Sequence, residues 1–266
     1  MAAELARRGL LDHRRALAGW CIGVIGYTSL LASIFPSFKG SPDLQRLVQR
    51  YPDALKQLFG IGHGGIGTGA GYLDAELFSL MLPLLVLVLA IGSGARTFAG
   101  EEDAGRLELV LAYPLRRRDA VFAKGAALAA EVAVFCIVAF GSLAVLSVIA
   151  GLDLDTGRLA EGVFSLAVLG LFYGWLALAV GAAVPSKVLA LGIAAGTAAA
   201  DYLVGGLHAL AAWLNPFRVL SPFWLVGQSP LQSGVDWWGI LVVLGAAAVA
   251  LVAGALLVER RDLQTP

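Results

Sequence analysis

Two carboxylates, Glu131 and Asp201, stand inside long apolar runs of the sequence. If such a run crosses a bilayer, an ionised group near its middle costs on the order of 3 kcal/mol. Residues of this kind usually face the interior of a helix bundle or a wet cavity, where they can line a path or relay a proton. Glu131 lies about two helical turns from basic residues, so it either joins such a path or pairs with Lys124 or an arginine of 116–118.

Asp201, beside Tyr202, is the deeper of the two carboxylates. The sequence leaves open whether it lines a transport path or forms a hydrogen bond between two helices. Asp201 and Glu131 together would also suit the proton relay of a stand-alone secondary carrier, which is the alternative function. We therefore take Asp201, Tyr202 and Glu131 as candidate residues of a translocation path.

Other chemistries find little support in the residue types present. The three histidines, His13, His63 and His208, are too few and too scattered for a convincing metal cluster. No G-x-x-x-x-G-K-[ST] motif occurs, so nucleotide hydrolysis by the P-loop route is excluded. The G-x-G-x-x-G of residues 62–67 lacks the strand and helix of a dinucleotide site, and we expect residues 60–71 to form a flexible tether. We expect no cofactor or metal in this chain.

The elements that must position these residues are membrane-spanning helices. Hydrophobic residues make up 59% of the 266 residues and charged residues 14%, whereas soluble domains carry roughly 25% charged residues. A spanning helix needs about 20 apolar residues, and no period-2 pattern suggests a barrel. Six segments qualify as spanning helices: residues 16–35, 77–95, 126–150, 162–184, 188–214 and 237–258. The sequence predicts a single all-α integral membrane domain, residues 1–266.

The remaining segments connect or flank these spans. Residues 1–15 suit an interfacial helix, with an ordinary basic flank as the alternative. Residues 36–76 and 215–236 are expected to form outer segments, the second with a re-entrant or interfacial helical pair. Small residues at a spacing of four favour close helix packing, and they occur at Gly19/Gly23, Gly170/Gly174 and Gly192/Gly196.

The distribution of basic residues predicts the orientation of the spans. With the N-terminus inside, thirteen of the 19 Lys and Arg residues fall on inner segments. Because basic residues are enriched in cytoplasmic loops, both termini are expected to be cytosolic.

The longest polar interruption on the inner side is residues 96–124, between the second and third spans. Gly105 and Pro114 bound a short amphipathic segment, because Gly favours a break in a helix and Pro cannot continue one. We interpret this segment as a surface helix offered to a soluble partner.

Part of this loop resembles a protease motif. Glu101, Glu102 and Arg106 match Glu-Glu-x-x-x-Arg, which is similar to the first motif of intramembrane CAAX-type proteases, where a Glu pair activates water. The later motifs of those proteases, Phe-x-x-x-His and His-x-x-x-Asn, fail at His208, the only downstream histidine. A CAAX-type protease is therefore a remote alternative.

A longer stretch of the loop resembles that of ABC-2-type transporter permeases, most nearly those of drug and antibiotic exporters. The stretch is residues 100–124, GEEDAGRLELVLAYPLRRRDAVFAK. The positions in register with the permease pattern are Gly100, Glu101, Gly105, Leu107, Glu108, Pro114, Arg117 and Lys124. Arg106 and Arg116 replace the common Thr and Ser of that pattern.

This resemblance implies a fold and a partner. The fold would be a type V, ABC-2 exporter-like bundle of six transmembrane helices, with an N-terminal interfacial helix and a cytosolic coupling helix in residues 99–119. The coupling helix would dock on a separate cytosolic P-loop ATPase subunit, which binds ATP and Mg. The residues expected to couple to that subunit are Glu101, Glu102, Gly105, Arg106, Leu107, Glu108, Leu109, Leu111, Pro114, Arg116, Arg117 and Arg118.

The resemblance also implies an assembly and a cargo. Two ATPase subunits would serve two six-helix permeases, as a homodimer or a pair of close relatives, in the inner or plasma membrane of a prokaryote. The chain itself would not be catalytic and would not bind nucleic acid. It would export an amphiphilic compound, such as a drug, an antibiotic or a lipid-like molecule.

Overall fold

The computed structural model describes residues 2–37, 39, 50–51, 67–98, 116–184, 186–207, 212–227 and 229–259, with residues 2–12 and 212 described by their backbone alone. In these ranges the regular elements are all helical. The α-helices are α1 Ala2–Ile34, α2 Gly69–Leu73, α3 Met81–Thr97, α4 Arg117–Ile149, α5 Thr156–Ala183, α6 Lys187–Leu207, α7 Pro222–Leu225, α8 Pro230–Ser233 and α9 Trp237–Glu259. Two 3-10 helices, Phe35–Ser37 and Ala212–Leu220, and a π-helical turn, Asp74–Phe78, complete the described elements.

Six helical segments in this part of the chain are long and apolar enough to cross a membrane. They are His13–Ser37, Gly69–Thr97, Arg117–Ile149, Thr156–Ala183, Lys187–Leu207 and Trp237–Glu259. The prediction of an all-α, multi-pass membrane protein with six spanning helices is confirmed.

Helix α5 is the centre of the bundle. It packs against α3, α9, α4 and α6, whereas α1 packs mainly against α4. In the most apolar stretches of α5 and of the Gly69–Thr97 segment, 61% of the residues are buried, against 22–28% in the other four spanning segments. The two central segments therefore meet protein on most sides, while the other four leave broad apolar faces exposed, as suits contact with lipid or with another apolar chain.

Glycine allows the central helices to approach closely. A Cβ added at Gly94 on α3 would collide with the carbonyl oxygen of Gly174 on α5, and one at Gly170 would lie 2.9 Å from Val86. The predicted packing role of Gly170 and Gly174 is therefore confirmed. The other two predicted pairs, Gly19/Gly23 and Gly192/Gly196, have open space at the Cβ position, so within the described chain they make no such contact.

The N-terminal segment differs from the prediction. We expected an interfacial helix over residues 1–15 and a separate span over 16–35, but α1 is one continuous helix from Ala2 to Ile34. No proline interrupts this stretch, and its Ala, Leu and Arg residues favour helix, so no break separates the two parts.

The third span also begins earlier than predicted. Its apolar run starts at residue 126, yet α4 starts at Arg117. A helix can continue through charged residues that lie outside the apolar run, and no Gly or Pro occurs between Arg117 and Lys124. The last three residues of the predicted coupling loop, 117–119, are therefore the first turn of α4.

The segments predicted to be outer differ from the prediction at two places. Residues 69–71 of the expected tether lie in α2, where Thr68 Oγ1 caps the helix by accepting a hydrogen bond from the Gly71 amide at 3.1 Å. Residues 69–76 are thus helical rather than the end of an irregular outer segment. The fifth span, predicted over 188–214, ends at Leu207 in α6, and residues 212–214 belong to the following 3-10 helix.

Candidate functional site

Most of the predicted coupling residues lie outside the described part of the chain. These are Glu101, Glu102, Gly105, Arg106, Leu107, Glu108, Leu109, Leu111 and Pro114. The three arginines are described: Arg116 is exposed and precedes α4, while Arg117 and Arg118 lie in its first turn. Nε of Arg118 lies 3.7 Å from Oε1 of Glu259, at the end of α9. The start of α4 and the end of α9 therefore lie at the same end of the bundle.

Lys124 fixes the point where α3 ends. Its ammonium donates a hydrogen bond of 2.5 Å to the backbone carbonyl of Thr97, the last residue of α3. The same nitrogen lies 4.5 Å from the ring centroid of Phe98, a cation–π distance. The last four carbonyls of a helix lack intrahelical partners and attract cations. Lys124 thus caps α3 from α4, immediately before the loop begins.

Glu131 joins three helices. Its carboxylate accepts a hydrogen bond of 2.6 Å from Ser93 Oγ on α3, and its other oxygen lies 2.9 Å from Nδ1 of His13 on α1. Glu131 is 3% exposed, whereas the His13 side chain is 33% exposed, so the network is buried at Ser93 and Glu131 and reaches the surface at His13. One of the two interpretations paired Glu131 with Lys124 or an arginine of 116–118. That pairing is wrong, because the carboxylate points to α1 and α3 while Lys124 turns to the end of α3. A place of Glu131 in a transport path stays a prediction.

Asp201 forms a hydrogen bond between helices. Tyr173 on α5 donates its hydroxyl to the Asp201 carboxylate at 2.8 Å, and Ser221 donates to the Asp201 backbone carbonyl at 2.7 Å. The ring of Tyr202 packs edge-on against Phe223, with centroids 5.4 Å apart. Of the two interpretations for Asp201, the structure shows the interhelical hydrogen bond, and a place in a transport path stays a prediction.

The two candidate carboxylates of a proton relay have separate surroundings. The partners of Glu131 are His13 and Ser93, whereas those of Asp201 are Tyr173 and Ser221. No described residue appears in both sets of partners. The carrier alternative therefore gains no support from this arrangement.

Asp74 is a further carboxylate in the bundle. It lies in the predicted outer segment, residues 36–76, and the sequence analysis gave it no role. It is fully buried, and its oxygens accept hydrogen bonds from the backbone amides of Leu231 at 3.1 Å and Gln232 at 3.0 Å. The side-chain amide of Gln232 donates a third, at 3.3 Å. An acidic residue flanked by Leu73, Ala75 and Leu77 was a signal that could have marked this site. Asp74 anchors the short helix α8.

The hydrogen bond from Tyr173 to Asp201 should contribute measurably to stability. We expect Tyr173→Phe to lower the free energy of unfolding by about 1–2 kcal/mol, because the part-buried carboxylate of Asp201 loses a donor. Tyr202→Phe is the matched control, and it should change stability by less than about 0.5 kcal/mol. Thermal unfolding in detergent measures both, and equal effects of the two substitutions would contradict the assignment.

The described buried polar groups tie helices together. Lys124 and Glu131 do so at the end of the bundle next to residues 99–115, and Asp74 does so at the opposite end. In the ranges that the structure covers, no group of three or more His, Cys, Asp or Glu residues is arranged to hold a metal ion.

Comparison with known proteins identifies the family. No curated protein matches the chain. The model of a family described as ABC-2 family transporter protein matches residues 5–263. Because this match covers almost all of the 266 residues, the chain belongs to the ABC-2 family of transporter proteins.

Proposed function

We propose that the chain is the transmembrane permease subunit of an ATP-binding-cassette exporter. The observation that carries the proposal is a match to a transporter family over residues 5–263 in a sequence without a P-loop motif. A transporter subunit that lacks its own nucleotide site must receive energy from another polypeptide or from a gradient. ATP and Mg would then be bound by a separate cytosolic ATPase subunit.

The contact with that ATPase subunit is assigned to residues 99–119. Leu107, Leu109 and Leu111 would form the buried part of the contact, and the flanking acidic residues and Arg116–Arg118 would form its polar rim. Both ends of the loop are anchored in the described structure, since Lys124 caps α3 and Arg118 lies against Glu259 of α9. An anchored loop can pass a displacement to the helices that carry it.

The orientation and assembly follow from the same proposal. The cluster Arg116–Arg118 and the end of α9 share one face of the bundle, and basic clusters favour the cytosol. We therefore place both termini in the cytosol of a prokaryotic cell, with the chain in the plasma membrane. Two such bundles, identical or closely related, would pair with two ATPase subunits.

The substrate class is proposed from the apolar character of the bundle. Exposed faces of the spanning helices carry many large apolar side chains, including Ile22, Val148 and Val249. A path along such faces suits an amphiphilic compound, such as a drug, an antibiotic or a lipid-like molecule. Asp201 and Tyr202 are the polar residues proposed to lie on that path.

Purification of the chain together with the ATPase encoded beside it tests the proposal. We expect ATP hydrolysis by the complex to respond to the permease, and Leu109→Asp or Gly105→Asp to return it to the rate of the ATPase subunit alone. Thr156→Asp introduces the same acidic residue at an exposed position at the start of α5, and it should leave the rate unchanged.

Two outcomes would overturn the proposal. One is an ATPase whose binding and rate are unaffected by the permease or by the substitutions in the loop. The other is proton uptake by liposomes that contain the chain alone, followed with a pH-sensitive dye. The second result would favour the secondary carrier with Asp201 and Glu131 as its relay.

A further inference from the structure

Two polar contacts join α3 to α4 near the ends of these helices that flank residues 99–115. Ser93 and Thr97 lie one turn apart on α3, while Glu131 and Lys124 lie two turns apart on one side of α4. Ser93 donates to Glu131, and the Thr97 carbonyl accepts from Lys124. We call these two contacts, together with the contact between Glu131 and His13, the inner polar ladder.

The two charged groups at the core of the ladder, Lys124 and Glu131, are buried and hydrogen-bonded, whereas His13 at its edge is part-exposed. Ser93 is 2% exposed, Glu131 3% and Lys124 7%. Phe98, whose ring centroid lies 4.5 Å from the Lys124 ammonium, is 2% exposed. The ladder therefore holds the last turn of α3 and the first residue beyond it against α4.

Stability alone is a poor explanation for charges at these positions. Buried ion pairs and charged hydrogen bonds are often no more stabilising than apolar side chains of similar volume, whereas they fix one geometry. The helix α3 is already packed closely against α5 through Gly94 and Gly174. The ladder adds hydrogen bonds of fixed direction near the ends of α3 and α4 that flank residues 99–115, and it reaches α1 through His13.

We propose that Lys124 and Glu131 are positioning residues that make the end of α3, the start of α4 and the inner part of α1 move as one rigid unit. The inference rests on the proposed function, in which an ATPase subunit displaces residues 99–115. Rigid elements joined by hydrogen bonds can carry such a displacement through the bundle. Without the ladder, the loop would move while the outer ends of the helices stay in place.

Distances across the outer side of the bundle test this inference. Nitroxide labels on Val148→Cys, at the outer end of α4, and Trp238→Cys, at the start of α9, report on outer movement. Both positions are exposed, at 84% and 73%, and Cys21→Ala with Cys136→Ala removes the native thiols. Pulsed electron spin resonance measures the label distance in the complex with the ATPase subunit, with and without MgATP.

We expect MgATP to shift this distance in the unsubstituted complex. Lys124→Met and Glu131→Gln should remove more than half of the shift while the complex still forms and hydrolyses ATP. Lys124→Arg keeps the charge and should restore most of the shift. Lys187→Met, which removes a lysine from the start of another spanning helix, should leave the shift unchanged.

The outcomes separate this inference from the proposed function. A full shift in both Lys124→Met and Glu131→Gln would overturn the inference and leave the permease role standing. An unsubstituted chain that forms no complex with the ATPase subunit, or whose complex shows no shift, would overturn the proposed function itself. If Lys124→Met prevents assembly, Ser93→Ala is used instead, because it removes only the hydrogen bond to Glu131. An undiminished shift in that variant overturns the inference.

Discussion

Gly94→Leu is expected to prevent the central helices from reaching their native packing. A Cβ at this position would collide with the Gly174 carbonyl oxygen and lie 3.1 Å from both the Ala177 Cβ and the Leu178 amide nitrogen. These are backbone or Cβ atoms, which cannot rotate away as a long side chain can. Overpacking a core costs about 1–3 kcal/mol, occasionally more, and we expect a loss of at least about 3 kcal/mol here because α3 and α5 must separate.

Gly92→Leu is the control for this prediction. Gly92 lies two residues earlier on the same helix, and its Cβ would approach only the end of the Arg96 side chain, at 3.9 Å. Helix propensity and hydrophobicity change equally in the two variants, so a difference between them reports on packing. Thermal unfolding of the purified protein measures the effect. Equal stability of the two variants would show that α3 and α5 are not in contact at Gly94.

The spanning helices could be predicted from the sequence because each needs a long apolar run. Their ends could not, since hydropathy marks the residues that meet lipid and not the residues that are helical. The helix α4 therefore begins at Arg117, nine residues before its apolar run, and α2 lies in a stretch whose glycines suggested an irregular tether. Thr68 was a local signal for that helix, because Thr is a favoured N-cap residue.

The candidate site was predictable in kind but not in its partners. Glu131 and Asp201 stood out because carboxylates are costly in an apolar run. The partners of Glu131 are Ser93 and His13, the second 118 residues away in sequence, whereas local spacing suggested Lys124. Gly94 belongs to no pair of glycines at a spacing of four, yet a Cβ there would collide with the Gly174 carbonyl oxygen on α5. Contacts of this kind depend on which helices become neighbours, and a local pattern does not contain that information.

Removal of the Asp74 carboxylate is expected to release the short helix α8. The carboxylate accepts three hydrogen bonds from Leu231 and Gln232, two of them from backbone amides in the first turn of α8. The first amides of a helix have no intrahelical acceptor, so Asp74 supplies the acceptor at this end. Asp74→Ala would remove the acceptor of all three hydrogen bonds, and we expect a loss of about 3 kcal/mol or more.

The effect of Asp74→Ala should be concentrated on the outer side of the bundle. Hydrogen exchange followed by mass spectrometry should show faster exchange in peptides that cover residues 229–236, with little change in α9. Glu76→Ala is the matched control, because Glu76 lies in the same π-helical turn and is exposed. The asparagine variant, Asp74→Asn, keeps one acceptor oxygen and should lie between the alanine variant and the native protein. Unchanged exchange at residues 229–236 in Asp74→Ala would mean that the contacts of α8 with α5, including that of Pro230 near Gly162, hold the outer helix without the carboxylate.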